Sequence, residues 1–281
     1  MKKWTYRLLI AFFALTFLIS ACFLVDYFIK SHKHTSQFDD LSALVEQARQ
    51  EPLPTESTGS AADPESEGDL PALPESAHTT VTHPKTGQAL RILREYAPIF
   101  QKNPDLVGWI KIEGTRLNYP VMQTPDTPNH YLHTDFYGEY SNHGCIYVSE
   151  VCSVEAPSDN LTIYGHKMKD GSMFAMLHEY MEEDYYLEHP TIIFNTLTEY
   201  HTYEILSVFL TTASVGECFY YHDFVDAANE AEYDAFVDRC KDLALYDTGV
   251  DASYGDKLIT LSTCEYSQTN GRLVVVAKRV R

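Results

Sequence analysis

A mainly β domain of eight short strands, built as an antiparallel barrel or sandwich behind a single membrane-crossing helix, is what these 281 residues lead one to expect. Three features point there. Short β-type runs separated by turn signals recur from Val107 to the carboxyl end, with few helical stretches between them. An uncharged apolar run fills the amino end. Between the two lies a polar stretch that cannot bury enough surface to offset its chain entropy.

The apolar run, Leu8 to Val25 with Tyr27 to Ile29 able to extend it, is long enough to cross a bilayer core at roughly 1.5 Å per helical residue. Lys2, Lys3 and Arg7 precede it, so the positive-inside bias keeps the amino terminus in the cytoplasm and sends the rest outside. Residues 1–30 are therefore read as a cytoplasmic tip and signal-anchor helix. A cleaved signal peptide has a shorter apolar region, roughly 7 to 15 residues. Ile19-Ser20-Ala21-Cys22 resembles a lipobox, but the apolar character continues through Phe23, Leu24 and Val25.

Phe38, Leu41, Leu44, Val45 and Ala48 recur at helical spacing and predict a short solvated stalk over 36–49. Residues 51–88 are rich in Pro, Glu, Ser, Thr, Ala and Gly. Residues 31–87 thus read as an extracellular stalk and disordered acidic linker, and 88–281 as the folded domain. That domain opens with Ile92, Leu93, Tyr96 and Phe100 on one helical face, where Pro98 marks a kink or early end.

The strands follow as Val107 to Ile112, Leu117 to Met122, Cys145 to Val148, Leu161 to Tyr164, Thr191 to Asn195, Tyr203 to Leu210, Leu258 to Cys264 and Leu273 to Ala277. Two helices interrupt them. Met173, Phe174, Met176, Leu177 and Tyr180 share one helical face, with Asp170 or Ser172 as amino cap. Tyr233, Phe236, Val237 and Cys240 share the other, inside a long excursion over 212–255.

Composition narrows the function. Lys and Arg number 21 against 40 Asp and Glu, a net charge of −19 that repels a polyanion, so no nucleic-acid partner is expected. Six irregularly placed cysteines without a C-x-x-C pair indicate neither a disulfide framework nor a zinc site. Cys145, Cys152, Cys218 and Cys240 read as buried or half-buried thiols, although an extracellular setting leaves a Cys218 to Cys240 bridge open.

The remaining thiol of the domain stands apart. Period-2 alternation places Leu258, Thr260, Ser262 and Cys264 on the more polar face of their strand, so Cys264 points toward chemistry outside the core. Asn270-Gly271 before the next strand signals a tight hairpin, and an odd loop count sets Cys264 directly opposite Arg272. A guanidinium there supplies fixed-charge donors to a developing oxyanion. Ile163-Tyr164-Gly165-His166 offers a histidine at a strand end for proton transfer. Glu265 is turned away from Cys264 by the same alternation.

The stretches "TLSTCEYSQTNGRLVVVAKRV", "LTIYGHKMKDGSMF" and "NPDLVGWIKIEGTRLNYPVMQ" together resemble a class B sortase, a cysteine transpeptidase of the Gram-positive cell surface, over about residues 88–281. The resemblance implies an eight-stranded sortase-type barrel with peripheral helices, one of them before the cysteine strand at 230–243. It implies Cys264 as nucleophile, His166 as general acid and base, and Arg272 as the group that binds substrate backbone and steadies the oxyanion. Asn129, in "PNHYL", and Ser262 fall where such enzymes approach substrate.

The implied substrates are secreted proteins bearing a C-terminal sorting signal, with an N-P-x-T or related motif cleaved after Thr. The implied acceptors are amines of a peptidoglycan precursor or a pilin. The membrane is a partner through the amino-terminal helix, and the catalytic domain faces outward from a single-pass anchor. Several relatives use calcium, but no acidic cluster here has calcium-site spacing, so no metal or organic cofactor is expected. Two other classes share part of the pattern: a cysteine peptidase that only hydrolyses, and a non-catalytic surface binding protein.

Overall fold

The structure, a computed structural model, describes residues 3–50, 77–213, 219–267 and 270–281. Residues 51–76 of the expected linker, Cys218 with its conceivable bridge, and Gln268 and Thr269 of the hairpin loop lie outside the described residues. Cys240 is a free, fully buried thiol.

The chain divides into two units, residues 1–40 and 41–281. Helix α1 (Lys3–Gln50) supplies the first. Among the described residues it is the one helix long and apolar enough to cross a bilayer. Its Phe, Leu and Ile side chains between Leu8 and Ile29 stay exposed, which suits a lipid surround rather than a protein core.

The second unit begins with the last turns of that helix. Leu41, Val45 and Ala48, at i, i+4 and i+7, are buried, and Arg49 Nη2 donates to Glu95 Oε1 at 3.2 Å. Glu95 is itself buried and also accepts from the Tyr200 hydroxyl at 2.7 Å. The helix end is thus docked on the domain, not the solvated stalk that its spacing predicts. The stripe was legible, but the partner that buries it was not.

Strand structure is present before Gln88. Strand β1 (His78–Thr82) pairs antiparallel with β2 (Ala89–Leu93). Its Thr-Thr-Val-Thr run favours a strand, a local signal hidden by the polar average of the surrounding stretch. Ile92 and Leu93 therefore lie on a strand rather than a helix. A 3₁₀ turn, Arg94–Tyr96, then leads into α2 (Ala97–Phe100), with Pro98 in its first turn, where a missing N–H costs nothing.

All eight expected strands are present: β3 (Leu106–Lys111), β4 (Asn118–Met122), β5 (Ile146–Val148), β6 (Asn160–Tyr164), β7 (Thr191–Thr196), β8 (Thr202–Thr212), β9 (Leu258–Glu265) and β10 (Gly271–Arg279). They close into a barrel in the order β10-β8-β7-β3-β4-β5-β6-β9. Closure leaves no barrel edge unpaired. Two pairs, β4 with β5 and β6 with β9, run parallel, which corrects the expectation of a wholly antiparallel sheet. Each is joined by a long connection, as parallel neighbours require.

The peripheral helices differ from one another in how well they follow their patterns. Residues Ala175–Met181 form a 3₁₀ helix without a side-chain cap, and α3 (Glu183–Glu188) follows it. Asp170, expected as an amino cap, instead closes its own loop by accepting from Ser172 N and Oγ. Helix α4 (Glu230–Leu243) starts on Asn229, whose side chain accepts from Glu232 N. Its Tyr233, Phe236, Val237 and Cys240 pack with Phe209, Tyr221, Phe224, Val274 and Val276. The Phe224 and Phe236 rings stack at 4.0 Å. This packing pins residues 219–224 against β8 and β10, at the rim where β9 ends.

Candidate active site

Three backbone elements converge at that rim. On the β9–β10 hairpin, Cys264 and Arg272 are direct antiparallel partners, so their side chains leave the sheet on the same side about 5 Å apart at Cβ. Asn270, at φ 55°, adopts the left-handed backbone that an Asn-Gly turn uses. Beside β9, strand β6 runs parallel with Tyr164 opposite Ser262, which brings Gly165 and His166 to the same end.

Gly165 is there for space. A Cβ on it would lie 2.7 Å from two ring carbons of Phe174. Its N–H donates to Ser262 O at 3.2 Å, while Phe174 N–H donates to His166 O at 2.9 Å. The histidine is thus tied on both sides. Gly165→Ala is expected to cost about 1–3 kcal/mol through overpacking and to displace His166. A denaturant midpoint equal to wild type would contradict this packing.

His166 Nε2 lies 2.8 Å from Leu132 O. A carbonyl only accepts, so Nε2 carries the hydrogen and Nδ1 is the free base nitrogen of the neutral ring. Burial pushes the His166 pKa below its usual value; the Leu132 carbonyl opposes this, and the nearby His133 and His143 add to it. The ring is therefore held neutral at ordinary pH.

His166, Cys264 and Arg272 line one cleft of about 450 Å³, together with Asn129, Tyr147, Tyr221 and Ser262. Cys264 is half-buried, where a thiol can meet a ligand from solvent. Arg272 Nη1 donates to the turn carbonyls of Gly271 at 3.0 Å and Asn270 at 3.3 Å. Ser262, 2% exposed, shares a 2.7 Å hydrogen bond with the Tyr221 hydroxyl. Asn129, at φ 55°, accepts from the Tyr147 hydroxyl at 3.0 Å and precedes the turn that ends on Leu132. Burial raises the Tyr147 pKa, so its hydroxyl stays a donor.

All five residues singled out from the sequence share this cleft. Sequence reasoning missed Tyr147, Tyr221 and the Leu132 carbonyl. Tyr221 had a signal in the aromatic cluster Phe219-Tyr220-Tyr221, whereas a backbone acceptor 34 residues from His166 had none. Glu265 is engaged by Ser267, whose N–H and hydroxyl both donate to it, and these bonds hold its carboxyl below the usual range against the opposing effect of burial. Among the described residues no group of three or more His, Cys, Asp or Glu side chains is placed to hold a metal ion.

A family model described as Sortase domain matches residues 110–280. Sortase B of Staphylococcus aureus is 35% identical over 181 residues, covering 64% of this chain and 72% of that protein. Sortase B of Listeria monocytogenes is 36% identical over 181 residues, covering 63% and 71%. A solved Staphylococcus aureus sortase B–substrate complex matches with a TM-score of 0.70 at 26% identity, over 90% of this chain and 99% of that one. The closed eight-stranded barrel agrees with these likenesses, and the chain belongs to the sortase family of thiol-dependent transpeptidases, within it to class B.

Proposed function

We propose that this enzyme is held in the cell membrane by α1, faces outward, and joins secreted proteins to the cell surface. It cleaves a C-terminal sorting motif after Thr and passes the acyl group to an amine of a peptidoglycan precursor or a pilin. The observation that carries the reading is the direct pairing of Cys264 with Arg272 in the cleft that His166 also lines. The solved Staphylococcus aureus sortase B–substrate complex supports a substrate shared with that enzyme class.

In this reaction the Cys264 sulfur attacks the Thr carbonyl carbon while His166 Nδ1 takes the thiol proton. The Arg272 guanidinium donates to the oxygen as it gains charge. Collapse of the tetrahedral species expels the carboxyl-side amine, which leaves with the proton from His166, and a thioester remains on Cys264. The acceptor amine then adds to the thioester, a new amide forms, and the thiol is regenerated. Asn129, Ser262 and Tyr147 contact the motif along the cleft floor. Lys2, Lys3 and Arg7 keep the amino end cytoplasmic.

Arg272→Ala removes a transition-state donor and is expected to lower kcat on the order of 10²-fold or more, with a smaller change in KM. Arg272→Lys restores little, because an ammonium lacks the forked donors. Wild-type kcat in Arg272→Ala would sink the oxyanion assignment.

The pH profile carries a sign. Attack needs the neutral ring, and burial lowers the His166 pKa, so the acid limb of kcat/KM is centred below the ordinary imidazole value of 6.5. An acid limb centred at or above 6.5 would contradict the half-buried, neutral imidazole.

The test of the whole reading is product analysis by mass spectrometry of the protein with a library of sorting-motif peptides, with and without amine acceptors. A product that contains the acceptor is expected, formed at the expense of hydrolysis. Cleavage indifferent to amines would make the protein a peptidase.

A further inference from the structure

We propose that His133 is a positioning residue for His166: its ring packs on the face of the imidazole and, with the Leu132 carbonyl in the ring plane, fixes the orientation of His166 toward the cleft. The inference rests on the reading of His166 as the proton carrier. It concerns a residue outside the Cys, His and Arg set.

The contact is a ring stack. The centroids of His133 and His166 are 5.6 Å apart with planes 26° from parallel. Tyr140 continues the column on His133, at 6.0 Å and 29°. Such offset geometry is the preferred one for flat rings in this distance range. Tyr140 is 76% exposed, so the column lies at the outer wall of the site and not in the core.

The segment that carries His133 is rigid. Thr134 and Tyr140 form an antiparallel bridge. Ser141 N–H donates to His133 O at 3.0 Å, and Asp135 N–H to Glu139 O at 2.8 Å. The buried Asp135 carboxylate closes the hairpin by accepting from Tyr137 N and Glu139 N, each at 2.9 Å. Leu132, next to His133, holds His166 Nε2. One braced hairpin therefore touches the imidazole twice, at an edge and on a face. Two such contacts remove the freedom of the ring to tilt or flip, which a proton carrier with one usable nitrogen cannot tolerate.

The charges around His166 are few and nameable. His133 and His143 face it from the hairpin segment, and both oppose its protonation. His143 Nε2 is held by Asp170 at 2.8 Å. Lys167 follows it in its own loop, and Cys264, Arg272, Glu150, His222 and Asp223 line the shared cleft. Within this set His133 alone stacks on the ring, so its removal both wets the imidazole face and deletes a neighbouring group that opposes protonation of His166. Both effects raise the His166 pKa.

The test uses full-length protein with isotope-labelled histidine, in His133→Ala and His133→Phe, with the His166 resonance identified by its loss in His166→Gln. In His133→Ala the His166 titration midpoint should rise, the acid limb of kcat/KM should move with it, and kcat should fall roughly 10- to 100-fold with little change in KM, as misplacement of a catalytic group does. His133→Phe, which keeps a flat ring, should restore kcat to within about threefold of wild type. A folded His133→Ala protein with unchanged midpoint and unchanged kcat would overturn the proposal. A shifted midpoint with unchanged kcat would overturn the catalytic reading of His166 while leaving the contact in place.

Discussion

Cys264→Ala is expected to abolish turnover of any sorting peptide, cleavage and transfer alike, while the barrel stays folded. The thiol is the one group at the end of β9 able to form the acyl bond, so no residual route through a thioester remains. The loss should approach the roughly 10⁶-fold seen when a nucleophile that acts as part of a unit is removed. Stability should move by less than about 1 kcal/mol, because the side chain is half-buried at a strand end. Cys264→Ser should fail nearly as badly, since an alkoxide demands a far stronger base than a neutral imidazole. Turnover in Cys264→Ala above the blank rate, measured with a quenched peptide, would remove this thiol from the mechanism.

His166→Ala comes next in size. Loss of a positioned general acid and base is expected to lower kcat/KM about 10²- to 10⁴-fold, and the acid limb of the wild-type profile should vanish with the ring that produces it. Acyl transfer to the amine should suffer with acylation, because the same nitrogen moves the proton in both half-reactions. A variant that keeps the wild-type pH profile at reduced rate would mean that another group titrates there. Two contacts hold His166 in place, the His133 stack and the Leu132 carbonyl.

Much of this was legible in the chain. Each barrel strand is a run of β-branched and aromatic residues with turn formers at its ends, and such runs announce themselves one at a time. The Cys264–Arg272 pairing was legible on the condition that the Asn-Gly hairpin loop holds an odd number of residues, and the register meets that condition. Helix α4 showed a four-residue apolar face, whereas its Asn229 cap came only with the structure. The parallel pairing of β6 with β9 was not legible, because those strands are far apart in sequence and their adjacency is decided by how the whole sheet closes. The same holds for the docked end of α1, whose partner Glu95 lies 46 residues from Arg49.

Local chemistry also left choices that packing made. Apolar spacing at 173–180 suits a 3₁₀ helix as well as an α-helix, and Asp170 can close a loop or cap a helix with the same carboxylate. A backbone carbonyl carries no side-chain signature, so the Leu132 contact that sets the His166 tautomer had to come from three dimensions.

The central claim is that Cys264 carries the acyl group. The measurement that tests it most directly is intact-mass and peptide-mapping mass spectrometry of the enzyme quenched in acid seconds after it meets a sorting-motif peptide, with no amine present. The account predicts a mass increment equal to the amino-side fragment ending in Thr, located on Cys264, labile to hydroxylamine and cleared on addition of an acceptor amine. An increment on any other residue, or efficient turnover with no trapped acyl-enzyme under conditions where deacylation is slow, would contradict it.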